Sequence, residues 1–240
     1  MMVQPVALDH VFLVLMVIVW PVAEYLYFYP RAVRGIKSGV TGARRGLYVY
    51  FLVALWGFTA CVAALWMARG RSWGLLRLGV GTPLRLGIGL TIAAVFLALL
   101  WARRRAVLGR PERLKMVRKK LANAEPFMSQ TLGEFRMFAA VSVSAGFCEE
   151  ILFRGFVMWY VAAWFPVAWM GTVAAVVISS AFFGFAHIYL GWPNVLGTAV
   201  GGVFFALVVL ASGSLWPAMI IHAAVDLSSG ELGYHASRVS

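Results

Sequence analysis

The sequence predicts an all-α, polytopic integral membrane bundle of about seven or eight transmembrane helices, with a basic amphipathic helix on its surface. Three observations predict it. Hydrophobic residues make up 62% of the 240-residue chain and charged residues only 12%, against roughly half and a quarter in soluble domains. The apolar residues fall in runs close to the ~20 residues that span a bilayer core. The 21 lysines and arginines, set against 9 acids for a net charge of +12, gather between those runs, where they set topology. The two cysteines, Cys61 and Cys148, both sit inside apolar runs and make neither a disulfide framework nor a zinc-type pair.

Residues 11–29 form the first span, with Pro21 and Glu24 inside it and Tyr25, Tyr27, Phe28 and Tyr29 at its interfacial end. Residues 1–10 lack a basic stretch and a small-residue cleavage site, so this span is expected to be retained. Glu24 is read as snorkelling to, or pairing with, a nearby arginine; support of a functional site is the alternative. Residues 31–45 carry five basic side chains. Residues 47–67 are the second span and 86–101 a short third. Between them, 69–85 carries four arginines and is expected to hold a short interfacial helix over 72–78. Residues 103–120 carry nine basic residues against Glu112 alone. Leu114, Val117 and Leu121 give that block a weak apolar stripe, the pattern of a helix lying on a membrane surface. The positive-inside rule puts 31–45 and 103–120 in the cytoplasm, facing anionic lipids. Nucleic acid is not an expected partner, because no aromatic residues interleave the basic ones as in single-strand binders.

Residues 137–165 are the fourth span and 167–189 the fifth. A turn at 191–194 precedes the sixth span, 195–211, whose Gly197, Gly201 and Gly202 are expected to permit close helix approach, the first two as a GxxxG pair. Residues 215–227 are a short seventh span, and 228–240 read as a loose polar tail. No internal repeat is evident. One membrane domain is expected, divided into N-terminal helices and basic loops (1–133), a functional core (134–229) and the tail (230–240).

Polar residues inside the later spans carry the functional reading. Glu149, Glu150 and Arg154 lie in the middle of the fourth span, where a charge costs about 2.5–3.5 kcal/mol on insertion scales. Glu150 and Arg154 are four residues apart, on one helix face, and can pair. Glu149 lies about 100° round the helix from Glu150 and about 140° from Arg154, so it is left facing the protein interior. Phe183 and His187 are spaced i, i+4 in the fifth span, as are His222 and Asp226 in the seventh. Three helices that each lose by burying a polar face can offset that loss by facing one another. Strict alternation of the spans would set the three groups at different depths, so convergence requires tilted helices or a deep start to the seventh.

The ordered set Glu-Glu-x-x-x-Arg, Phe-x-x-x-His and His-x-x-x-Asp resembles the CAAX prenyl endoprotease family, also known as the CPBP family of intramembrane proteases, over about residues 134–229. The resemblance implies peptide-bond hydrolysis in a membrane-associated substrate such as a prenylated C-terminal peptide. It implies that Glu149 and His187 activate water, that His222 and Asp226 form the oxyanion side, and that Glu150, Arg154 and Phe183 support them. Asparagine is usual where this chain has Asp226, and an ionised carboxylate cannot donate to an oxyanion. Asp226 is then either protonated or acts on His222. A third option is a divalent metal, zinc by ligand type, on Glu149, His187 and His222, against a metal-free glutamate mechanism. Rival readings are a thiol protease built on Cys148, a non-catalytic immunity or scaffold protein, and a proton-coupled transporter.

Overall fold

The computed structural model describes residues 3–239, and at 122 and 123 the backbone alone. Met1, Met2 and Ser240, the extremes of the expected N-terminal segment and tail, lie outside the described residues. The described residues are mostly helical: α1 (Ala7–Lys37), α2 (Ala43–Ala68), α3 (Pro83–Leu108), the short α4 (Pro111–Lys120), α5 (132–162), α6 (Ala168–Phe185), α7 (Trp192–Ser212) and α8 (Trp216–Ala236). No strand occurs among the described residues. Five of these helices, α1, α2, α3, α6 and α7, are long and apolar enough to cross a membrane. The other two long helices, α5 and α8, carry the charged motif residues. Side chains such as Val53, Leu84, Leu99, Val177, Leu196 and Val200 face outward. A bundle apolar on its outside is one that lipid solvates, with helices satisfying their own backbone. The protein is an integral membrane protein.

The helices run past the expected spans because their ends have local support. At α5, Thr131 accepts a hydrogen bond from the backbone N–H of Glu134 at 3.2 Å, and Glu134 accepts from the N–H groups of Gln130 and Thr131, a capping box. Pro83 and Pro193 stand in the first turns of α3 and α7, where a missing N–H costs nothing. The expected turn at 191–194 is therefore mostly the start of α7.

Four further expectations are corrected. The tail from 228 is not loose: α8 continues to Ala236. Leu232 and Ala236 are buried, and Glu231 accepts two hydrogen bonds from Arg104 of α3 at 2.5 Å. The apolar stripe of the basic block packs inward, with Leu114, Val117 and Leu121 against Met128 and Ala236, because α8 extends far enough to cover it. Residues 72–78 hold a single tight turn, Trp73–Leu76, in place of an interfacial helix. Leu76 is fully buried there, and the Arg77 carbonyl accepts from Leu215 at the α7–α8 turn. Gly197 and Gly201 have open space where a Cβ would go, while Gly202 is the glycine packed on Ser180 of α6.

The two basic segments border the same stretch of chain. Arg44 donates to the Pro126 carbonyl at 3.1 Å and lies 3.7 Å from Glu134, while α4 packs beside Met128. At the other end, Arg71 grips Asp9 with two bonds of 2.8 and 2.6 Å and stacks on Trp66 and Trp159. Both partners are buried, so the pair ties the start of α1 to the end of α2 and to α5.

α5 and α8 form the most extensive helix pairing, and Gly146 sets their separation. A Cβ there would lie 2.5 Å from the backbone nitrogen of Ala223, so the two backbones must part to admit one. Gly146→Ala is expected to cost about 1–3 kcal/mol by overpacking. It should also move Glu149 away from His222, each within one turn of the contact. Thermal unfolding in lipid nanodiscs, with activity measured beside it, checks both effects.

Candidate functional site

The polar residues of α5, α6 and α8 converge. Glu150 is fully buried, and its Oε1 lies 3.1 Å from Nη1 of Arg154 and 2.9 Å from Nδ1 of His222. The i, i+4 pair expected from spacing is present, and a π-helical stretch, Glu150–Val157, holds it. Such wider turns recur at functional sites because they re-aim side chains within a helix. Arg154 is sealed by aromatic faces, with its guanidinium carbon 4.1 Å from the Phe183 ring centre and 5.3 Å from that of Phe205.

His222 is held on every side. Phe205 stacks on it at 4.7 Å, and Phe183 meets its edge at 5.7 Å. A carboxylate only accepts, so Nδ1 carries the hydrogen that binds Glu150. This turns Nε2 toward Glu149 Oε2 at 3.7 Å and Asp226 Oδ2 at 3.8 Å. Both distances exceed a hydrogen bond, leaving room between the groups. Glu149 and Asp226 retain 16% and 36% side-chain exposure, while His222 itself is buried. The orienting bond to His222 thus comes from Glu150, 72 residues away, and not from Asp226 on its own helix. Sequence reasoning gave Glu150 only a helix-holding role. Its signal was the adjacency of two acids of which one arginine answers only one.

His187 sits just past the end of α6, with its Nδ1 2.9 Å from the Phe183 carbonyl. That nitrogen must donate, which leaves Nε2 as an acceptor. Phe183 packs edge-on against His187 at 5.0 Å and so touches both histidines. Gly184 makes this position possible, since a Cβ there would lie 2.6 Å from the Val195 carbonyl.

Glu149 and His187 line one cavity of about 70 Å³. Glu24 of α1 lines it as well, 3% exposed and with Oε1 lacking a hydrogen-bond partner among the described residues. The expectation that Glu24 snorkels to or pairs with an arginine is therefore corrected. Its helix turns it inward through a second π-helical stretch, Glu24–Phe28. A larger cavity, about 350 Å³, lies elsewhere beside Arg77, Met158 and Trp159 and includes none of the motif residues. Cys148 is buried against Leu55 of α2. Among the described residues, no group of three His, Cys, Asp or Glu side chains is disposed to hold a metal ion. Glu149, His187 and His222 as placed do not form a metal-ligand set.

Buried acids and histidines meet here inside a membrane bundle, on rigid helices, an arrangement whose residue types can carry out proton chemistry. The particular family follows from comparison with known proteins: a model described as Rce1-like, type II CAAX prenyl endopeptidase Rce1-like, matches residues 131–228. That region of the chain, less than half of its length, is similar to this family of peptidases. The match runs from the α5 cap into the middle of α8, close to the 134–229 expected, and leaves α1–α4 outside it. No curated protein and no solved structure matches the chain.

Proposed function

We propose that the protein is an intramembrane endopeptidase that uses glutamate-activated water on a membrane-associated peptide, with a prenylated CAAX-type C-terminus as the first substrate to try. The observation that carries this reading is the position of His222. Glu150 holds its Nδ1, and its Nε2 opens toward Glu149 across a gap of 3.7 Å. In the proposed reaction Glu149 takes a proton from water, and the Nε2 lone pair of His187 helps hold that water in line. The oxygen attacks the scissile carbonyl carbon. His222, as the imidazolium, donates from Nε2 to the developing oxyanion. Collapse breaks the C–N bond, and Glu149 returns its proton to the departing nitrogen. Glu150 and Arg154 keep the imidazole in place, and Phe183 walls both histidines.

Purified protein in nanodiscs, given a farnesylated peptide, tests this by mass spectrometry of the products. Two fragments are expected, with cleavage undiminished after a chelator and no bound metal found by elemental analysis. Loss of cleavage on chelation, restored by zinc, would replace the metal-free mechanism. Intact peptide under all conditions would overturn the protease reading.

Asp226→Asn is expected to keep cleavage within about tenfold of wild type. An amide can donate to an oxyanion where an ionised carboxylate cannot, and Asp226 makes no hydrogen bond to His222 that the change would remove. A loss beyond a hundredfold in kcat/KM would mean that the acid itself carries a proton in the reaction. In the same reading, the end of the bundle bearing 31–45 and 103–120 faces the cytoplasm and its anionic lipids. Cysteines placed in those segments should label only from that side.

A further inference from the structure

Glu24 is a buried acid that the proposed reaction does not use, on a helix outside the matched region. Its carboxylate has no ion pair among the described residues, and no lysine or arginine lines the cavity it faces. An acid held this way costs the fold several kcal/mol unless something answers it. The same cavity is walled by the rings of Trp20, Phe51, Phe58 and Tyr189. Trp20 is itself fixed by stacking between Phe28 at 5.7 Å and Tyr50 at 5.5 Å, and Tyr189 by packing on Tyr29 at 4.8 Å. A preformed aromatic chamber ending in a carboxylate suits a cation on an aliphatic stem: the stem lies along the rings, the charge meets their faces, and the acid receives the donors.

We propose that Glu24 and these rings form a substrate subsite for a lysine or arginine side chain within a few residues of the scissile bond. The proposal rests on the protease reading above, because the cavity is the one that Glu149 and His187 line. The occupant is part of the substrate peptide and not a free cation. A side chain seated against Glu24 therefore fixes the register of the adjacent carbonyl relative to Glu149. Glu24 is a specificity residue and takes no part in proton transfer.

The test uses the full chain in nanodiscs and farnesylated peptides that differ at one residue near the cleavage site. That residue is lysine, arginine, their neutral counterparts norleucine and citrulline, or glutamate. Binding is read by photo-crosslinking and cleavage by mass spectrometry. Wild type should favour the basic peptides by roughly tenfold or more in kcat/KM, the scale of a charge-assisted hydrogen bond. Glu24→Gln should lose that preference, its kcat/KM falling on the lysine and arginine peptides by far more than on the norleucine peptide. Glu24→Lys should shift the preference toward glutamate. The Gln variant should unfold no earlier than wild type, since it replaces a buried acid that has no ion pair among the described residues; earlier unfolding would point to a structural role and overturn the proposal. Cleavage without basic preference, or an equal loss on all peptides in Glu24→Gln, would also overturn it while leaving the protease reading intact. Basic-selective binding that needs Glu24, without cleavage, would keep the subsite and remove the protease. Neither binding nor cleavage by wild type would remove both.

Discussion

Glu149→Gln should lower kcat/KM by about 10²–10⁴, the range for losing a positioned general base, without disturbing the fold. The amide fills the same volume and can still face His222, but it cannot take a proton from water. Glu149 Oε2 makes no hydrogen bond among the described residues, so its replacement breaks none there and keeps the 3.7 Å approach to His222. The measurement is cleavage of the farnesylated peptide beside thermal unfolding of the same preparation. Wild-type cleavage in this variant would eliminate Glu149 as the base. A large fall in stability would show that the acid holds the bundle together and that lost activity says nothing about chemistry.

Arg154→Met should be the most destabilising single change in the core. It leaves Glu150 buried with its guanidinium partner gone, and breaking a buried pair this way costs about 3–5 kcal/mol. His222 and Arg154 both approach the same oxygen of Glu150, Oε1, so losing Arg154 leaves the carboxylate with one partner where it had two. Adding Glu150→Gln removes the stranded charge, and the double variant should recover most of the stability. Methionine can lie between the Phe183 and Phe205 rings that now cover the guanidinium. Cleavage should not recover with stability, because an amide holds the Nδ1–H of His222 more weakly and no longer favours the imidazolium. A double variant that is both stable and fully active would show that Glu150 has no part in positioning His222. A single Arg154→Met as stable as wild type would show that the pair contributes nothing to the fold.

The Glu150–Arg154 pair was legible in the sequence, as was the shelter of His187 by Phe183, because both are i, i+4 relations within one helix. The bond between Glu150 and His222 was not. It depends on how far α5 and α8 are rotated about their axes, which the contact at Gly146 and the π-helical stretch decide. The same holds for Glu24: its place in α1 is plain from sequence, but the direction of its side chain follows from local widening of the helix. Residues 228–236 read as loose because they are polar. Glu231 finds Arg104 from another helix, and glycines at 230 and 233 let α8 lie against Phe138 and Met128.

The sequence by itself determined that the chain folds as apolar helices in a membrane, which spans carry ionisable groups, and which of those groups share a helix face. Hydrophobic run length and helical period are local properties, and local properties survive whatever the helices later do. Tertiary structure alone decided that α1 brings an acid to the cavity of the α5 and α6 motifs, that Glu150 answers His222 as well as Arg154, and that of the three expected α7 glycines it is Gly202 that packs closely, with open space at Gly197 and Gly201. Those outcomes depend on the relative rotation, tilt and depth of packed helices, which are set by side chains many residues apart meeting at van der Waals distance.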